Sequence, residues 1–398
     1  MLTEELMQGA RQYLMDTYAR YPLALARGQG TKVYDVEGRE YLDFLAGVAV
    51  NVLGHCHPKV TLALQQQAQH LIHTSNLFYT EPQVKLAQVL VDHSFADKVF
   101  FCNSGAEANE AAIKLARRWA HAKDGAGRYE IVSMLNSFHG RTLATLTATG
   151  QDKVQKGFEP LPEGFRYVPF NDVEALSKAV TARTAGILVE VIQGEGGVRV
   201  ATPAFLKACR DISRERGALL MLDEVQTGIG RTGRLFAYEH FGITPDVMTL
   251  AKGLGGGVPI GACLATDDAA KAFTPGSHAS TFGGNPLVCA AALAVLEVIL
   301  EDRDILGQCA RLGEYFMKGL LELKGRCPAV TDVRGLGLLI GVEVTLDARE
   351  LVHDLRKRGI LVNATSEHVL RFVPPLIVTT AEIDRVVVTL GDVIEARR

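Results

Sequence analysis

Lys252 stands between an apolar run, Val247-Met248-Thr249-Leu250-Ala251, and a glycine cluster, Gly253-Leu254-Gly255-Gly256-Gly257, and an earlier apolar run ends in Asp223-Glu224. A lysine at a strand end with little bulk behind it can form an imine with a carbonyl cofactor, and an aspartate from a neighbouring strand end can hold a pyridinium proton. The pairing suggests a pyridoxal phosphate site in which Lys252 and Asp223 act on opposite ends of one cofactor. An ionised Asp223 keeps the ring nitrogen protonated, so that electrons from a substrate carbon can flow into the ring. Gln226 adds an amide from the same turn. Alone, Asp223-Glu224 reads equally well as a buried structural pair; the lysine at the next strand end makes that reading weaker.

Asn103-Ser104-Gly105-Ala106-Glu107-Ala108 is a small-residue turn running into a helical stretch. Free amides and the positive end of the helix dipole favour a phosphate there, with Ser104, Gly105 and Ala106 closest, although an ordinary serine N-cap has the same signature. Asn136-Ser137-Phe138-His139-Gly140-Arg141 follows another apolar run. Phe138 can stack on a pyridine ring or simply fill a core, and Arg141 can grip a carboxylate bidentately or sit in a surface ion pair. His55-Cys56-His57 lacks the further ligand that zinc needs, so no metal site is expected. No glycine run has the spacing of a dinucleotide loop or a P-loop, and Ser104 is not in a GxSxG elbow.

These residues need a scaffold that brings strand ends together. From about residue 50 to 284, short apolar runs alternate with helical stretches, the rhythm of a mainly parallel α/β sheet with crossover helices. Strands are expected at 98–102, 130–135, 186–192, 218–222, 246–250 and 260–265, with helices at 106–121 and 203–216 among the connections. Open sheets of this kind bind ligands outside the carboxyl ends of their strands, where Ser104, Glu190, Asp223 and Lys252 all fall. Residues 1–49 open with a helix from Thr3 to about Tyr18 and continue as a hairpin around Glu37-Gly38-Arg39. Residues 285–398 read as a smaller α+β domain onto which that hairpin packs.

At 398 residues the chain is too long for one ordinary core, and 47% apolar with 22% charged residues is ordinary globular composition. A formal charge of -3 argues against nucleic acid or anionic membrane as partner. Seven scattered cysteines without a CxxC spacing point to reduced thiols, and the amino terminus lacks a secretory pattern, so a cytoplasmic location is expected.

With these motifs assembled, the chain resembles the class III aminotransferases of the aspartate aminotransferase-like fold (fold type I), and among them the acetylornithine aminotransferases, nearly end to end. The most specific stretches are Asp35-Val36-Glu37-Gly38, Gly54-His55-Cys56-His57-Pro58, the Asn103 and Asn136 motifs, the Asp223 and Lys252 regions, and Ser280-Thr281-Phe282-Gly283-Gly284-Asn285-Pro286. The resemblance implies a mainly parallel seven-stranded sheet in a large domain beside the smaller α+β domain. It implies that Lys252 carries the cofactor imine, Asp223 pairs with the ring nitrogen, Gln226 approaches the phenolic oxygen, Phe138 stacks on the ring, and Gly105 and Ala106 hold the phosphate. It also implies a homodimer in which Thr281 reaches the phosphate of the opposite subunit and Ser280 lies near substrate.

For the reaction, the resemblance implies transfer of the terminal amine of N2-acetyl-L-ornithine to 2-oxoglutarate, a step of arginine biosynthesis. Arg371 would bind the glutamate α-carboxylate, Glu195 would mask Arg371 when the acylated donor is present, and Arg141 would take the remote carboxylate. Ornithine δ-aminotransferases carry a tyrosine where Val48 lies, which favours an acylated donor here. Succinyldiaminopimelate, ornithine or 4-aminobutyrate as donor remains an alternative, and so does a catalytically silent binding module on the same fold.

Overall fold

The computed structural model describes residues 2–301 and 304–397. Its centre is a seven-stranded sheet in the order Lys98–Cys102, Gly261–Ala265, Val247–Leu250, Leu219–Asp223, Thr184–Glu190, Glu130–Met134, Phe165–Val168. Gly261–Ala265 is antiparallel to both neighbours and every other pairing is parallel. Both faces are covered, which is why these strands read as unbroken apolar runs rather than alternating ones. On one face Ile131, Leu188, Met221, Val247 and Cys263 pack beneath Ala112, Leu115, Ala116 and Trp119 of the helix Gly105–Asp124. On the other, Val132, Val189, Leu222 and Leu250 join a larger core that includes Phe205 and Leu206 of the helix Pro203–Glu215.

The hairpin expected near Gly38 is present as Lys32–Asp35 and Glu40–Asp43. Asp35 Oδ1 closes its turn by accepting from the amides of Glu37 and Arg39, and Gly38 takes the positive φ of 87° that the turn requires. Two strands absent from the sequence expectation extend it: Leu25–Gln29, largely exposed, and Ile360–Leu361, which pairs parallel with Glu40–Asp43. The first helix ends at Tyr13 instead of running to about Tyr18, because it buries no residue and so has no tertiary contact to carry it further.

A second sheet, antiparallel throughout, runs Val330–Leu336, Leu339–Val344, Val369–Phe372, Asn363–Ser366. The helix Asp304–Arg326 packs on Val330–Leu336 and on the last helix, Thr380–Glu395. The helix Pro286–Glu301 instead packs against Pro58–His70 and Glu81–Asp92. Among the described residues no helix is long and apolar enough to cross a membrane.

Candidate active site

The carboxyl ends of three adjacent strands meet in register. Asp223 pairs with Glu190 on one side and Thr249 on the other, so Lys252, three residues beyond Thr249, emerges beside Asp223. Both line one cavity of about 470 Å³, together with Ser104, Gly105, Ala106, Phe138, Arg141, Glu195 and Gln226. Nine of the twelve residues singled out from the sequence are thus brought to one space.

Lys252 is half-buried in the cavity wall and has a φ of 41°, a left-handed conformation that a lysine adopts only under constraint. Gly253 is small because a Cβ there would lie 2.7 Å from Val52 Cγ1, and the chain turns tightly through Lys252–Leu254. Burial lowers the lysine pKa and the Arg371 charge adds to the effect, against opposition from Glu195, Asp223 and Glu190.

Asp223 is held on three sides. Its Oδ2 accepts from Asn109 Nδ2 at 2.7 Å and pairs with His139 Nδ1 at 2.7 Å, and its Oδ1 accepts from the Val225 amide at 3.0 Å. Asn109 is fixed in turn, donating to the His139 carbonyl at 2.8 Å and accepting from Thr249 Oγ1 at 2.7 Å. One lone-pair direction at a time is thereby taken up, and the carboxylate cannot rotate freely. Glu190 accepts from the Phe138 amide at 3.0 Å, and burial together with the nearby Asp223 charge raises its pKa well above the usual carboxylate range.

Ser104 caps the helix Gly105–Asp124 by accepting from the Glu107 amide at 3.2 Å. Among the described residues no acceptor takes up the amides of Gly105 and Ala106, which leaves two donors at the helix start beside the cavity. Arg141 lies exposed at the rim, its guanidinium 5.6 Å from the Phe138 ring centre.

Glu195 sits at the tip of a hairpin whose two short strands are Ile192–Gln193 and Arg199–Val200. Its Oε1 meets Arg371 Nη1 at 2.5 Å. Arg371 lies behind the cavity wall, 1% exposed, and also donates to Gln226 Oε1 at 3.1 Å and Asn363 Oδ1 at 3.2 Å. Burial acts to raise the Glu195 pKa, but the charges of Arg371 and Lys252 outweigh it and the net shift is downward.

Ser280 and Thr281 lie apart from this cavity. They border a neighbouring surface hollow that shares Asn103 with it, and Asn103 Nδ2 donates to Ser280 Oγ at 3.2 Å. Val48 is half-buried in a left-handed turn from Ala46 to Ala49, and it is Val50 that lines the cavity. His55 of the His-Cys-His motif is bound to Asp43 Oδ2 at 2.7 Å, and no group of three metal-ligating side chains occurs among the described residues.

Residues 13–394 match the family model "Aminotransferase class-III". The chain belongs to the class III aminotransferases. It is 56% identical to the acetylornithine aminotransferase of Caldanaerobacter subterraneus subsp. tengcongensis, over 98% of each protein. It superposes on the acetylornithine aminotransferase of Elizabethkingia anophelis with a TM-score of 0.89 at 35% identity, covering all of both chains. An ornithine aminotransferase from Toxoplasma gondii, described with partial occupancy of PLP at its active site, superposes with a TM-score of 0.95 at 37% identity over 99% of this chain and 94% of that one.

Class III aminotransferases work with pyridoxal 5′-phosphate. The cavity fits that group on its own chemistry: two free helix-start amides suit a phosphate, an immobilised carboxylate suits a ring nitrogen, and a half-buried lysine suits an aldehyde. Asn109 and His139, which fix Asp223, have no role in the sequence reading. The signal for Asn109 is its type: an amide near the start of a helix whose buried face is otherwise alanine, isoleucine, leucine and tryptophan.

Proposed function

We propose that this aminotransferase transfers the terminal amino group of N2-acetyl-L-ornithine to 2-oxoglutarate, giving N-acetyl-L-glutamate 5-semialdehyde and L-glutamate. The observation that carries this reading is the 2.5 Å pair between Glu195 and the enclosed Arg371. L-Glutamate has a carboxylate on the carbon that bears its reacting amine; the acylated donor has none there. A guanidinium that can be covered or uncovered serves both, and an aminotransferase restricted to one kind of donor has no use for the cover.

When bound, pyridoxal phosphate accepts the substrate's amino group and draws the electron pair of the adjacent carbon into its ring. Gly105 and Ala106, behind the Ser104 cap, would hold the phosphate with backbone amides and the positive end of a twenty-residue helix. Phe138 would stack on the ring. Asp223, clamped by Asn109 and His139, would keep a proton on the ring nitrogen. Gln226 would serve the phenolic oxygen. Burial moves Lys252 Nζ toward the neutral amine, the form that attacks a carbonyl and accepts a proton from the substrate carbon. Arg141, exposed at the rim, takes the carboxylate remote from the reacting carbon. Arg371 takes the glutamate α-carboxylate once the Glu195 side chain turns away, and Glu195 covers it again for the acylated donor.

The choice of donor rests on the relatives' identity and on Val50 in the cavity wall, which offers a free α-ammonium group no acceptor. We further propose a cytoplasmic homodimer whose Thr281 completes the phosphate site of the other subunit. Thr281 is exposed outside its own cavity, and Leu71, Ile72, Leu77, Phe78, Tyr79 and Phe282 form an exposed apolar set in the segments around it. The division at residues 50 and 285 into an amino-terminal segment, a large cofactor domain and a small domain is part of the same proposal.

Donor profiling with 2-oxoglutarate tests the substrate. Acetylornithine is expected to exceed ornithine, succinyldiaminopimelate and 4-aminobutyrate in kcat/KM; equal values for acetylornithine and ornithine refute the assignment.

A further inference from the structure

The register of the second sheet puts two arginines in one row. Arg334 pairs with Gly341, and Gly341 pairs with Arg371. Directly paired residues point to the same face of a sheet. The next row, Val333, Val342 and Leu370, points the other way into the core. Arg334 and Arg371 therefore flank Gly341 on the face turned toward the hairpin tip that carries Glu195.

Each arginine grips that tip at a different point. Arg371 takes the Glu195 carboxylate, whereas Arg334 Nε donates to the Gly197 carbonyl at 2.9 Å. Between them Val198, fully buried with a φ of 53°, lies over Gly341, where a Cβ would come 2.8 Å from Val198 Cβ. Arg334 is itself anchored, its Nη1 donating to Asp332 Oδ2 at 2.7 Å and Glu343 Oε2 at 2.6 Å. A backbone carbonyl has no charge to lose and no competitor among substrates, so the Arg334 contact persists when the Arg371 contact is exchanged.

We propose that Arg334 is the fixed half of a two-arginine clamp: a positioning residue that holds the hairpin tip on the second sheet, so that only the Glu195 side chain moves when Arg371 changes partner. The proposal rests on the masking role given to Glu195 above and assigns what keeps that mask aligned. With Arg334 in place, Glu195 returns to the same geometry in every cycle. Without it, the tip drifts from the sheet and leaves Arg371 uncovered before the acylated donor. L-Glutamate, which needs Glu195 displaced, is little affected.

The test follows single-turnover donor half-reactions of the pyridoxal phosphate-loaded enzyme by cofactor absorbance, with acetylornithine and with L-glutamate. R334A is expected to lower kcat/KM for acetylornithine on the order of tenfold, about one hydrogen bond to a charged group, and to leave L-glutamate within roughly threefold. G341A, whose added methyl pushes on Val198 and on the Gly197 carbonyl that Arg334 holds, is expected to shift the ratio in the same direction. Added to E195Q, R334A is expected to change the ratio no further, because both act through one contact. Equal losses for both donors, or an R334A effect that persists undiminished on the E195Q background, overturns the clamp. If E195Q itself leaves the donor ratio at the wild-type value, the masking role fails first and the clamp with it.

Discussion

Replacing Glu195 with glutamine removes the charge that faces Arg371 while keeping nearly the same shape. Losing one member of a buried ion pair outright costs about 3–5 kcal/mol. The cost here is smaller for three reasons. The glutamine oxygen still accepts a hydrogen bond, Gln226 and Asn363 remain as neutral acceptors at 3.1 and 3.2 Å, and the Glu195 side chain is 30% exposed, so water reaches the gap. What remains is close to the difference between a charge-assisted and a neutral hydrogen bond, roughly 1.5–2 kcal/mol. For acetylornithine, whose methylene cannot compensate the guanidinium, that predicts a kcat/KM about 10- to 30-fold lower. L-Glutamate supplies its own carboxylate and is spared the step of displacing Glu195, so its half-reaction is expected to hold or improve. Single-turnover half-reactions monitored through cofactor absorbance separate the two. A fall shared equally by both donors refutes the reasoning, because the mask acts on one donor only.

Acid should reproduce the same change. The Glu195 pKa is lowered in the fold, since the Arg371 and Lys252 charges outweigh its burial, so its contribution to stability and masking is fully present above the ordinary carboxylate value of 4.5 and is lost as pH falls through the lower folded value. The ratio of donor half-reaction rates is therefore expected to be flat through neutral pH in its Glu195-dependent part and to drift toward L-glutamate only below 4.5; a drift centred near neutrality contradicts this. Asn109→Ala strands the Thr249 hydroxyl and frees Asp223 to rotate, which should lower thermal stability by about 1–3 kcal/mol and reduce kcat more than it raises KM. An unchanged melting temperature and kcat would show that Asn109 does not support Asp223. Lys252→Ala and Thr281→Ala chains co-expressed in equal amounts should regain about one quarter of wild-type sites, because half the dimers are mixed and each mixed dimer holds one complete site. Activity no greater than the sum of the two parents argues against a shared phosphate site.

Local pattern was enough for the central sheet because its strands are buried on both faces. Their apolar runs end at Asp223, Leu250 and Cys102 close to where the structure ends them, and the glycines after Lys252, with Asp223 at a neighbouring strand end, single that lysine out. Leu25–Gln29 was missed because it is largely exposed and carries Arg27 and Gln29, so it has neither alternation nor a run. Phe165–Val168 was missed as the short outer strand of the sheet, with Arg166 turned to pair with Glu130. For the site, residue type marks side chains that line the cavity, while the network behind Asp223 depends on which helix residue lies over which strand end, and local spacing carries no trace of that.

The Arg371 side of the site shows the same limit more sharply. In the sequence, Arg334 is one of 42 basic residues, in a stretch whose glycines, Gly335, Gly337 and Gly341, attract attention only by failing to make a dinucleotide loop. Its function exists only after a hairpin has set Arg334 opposite Gly341 and a second pairing has set Gly341 opposite Arg371. A one-residue slip in either pairing would turn one arginine to the opposite face of the sheet. Lys252 and Asp223, the proposed catalytic pair, sit on the large sheet, and Arg371, the arginine proposed to distinguish the two donors, sits on the small one. The hairpin bearing Glu195 is where the two meet, anchored at its base through Gln193 to the Leu135 carbonyl and at its tip to Arg334. On the proposed roles, a change in how the small sheet rests on the large one acts on donor discrimination through the Glu195–Arg371 pair, and on Lys252 through the same two charges.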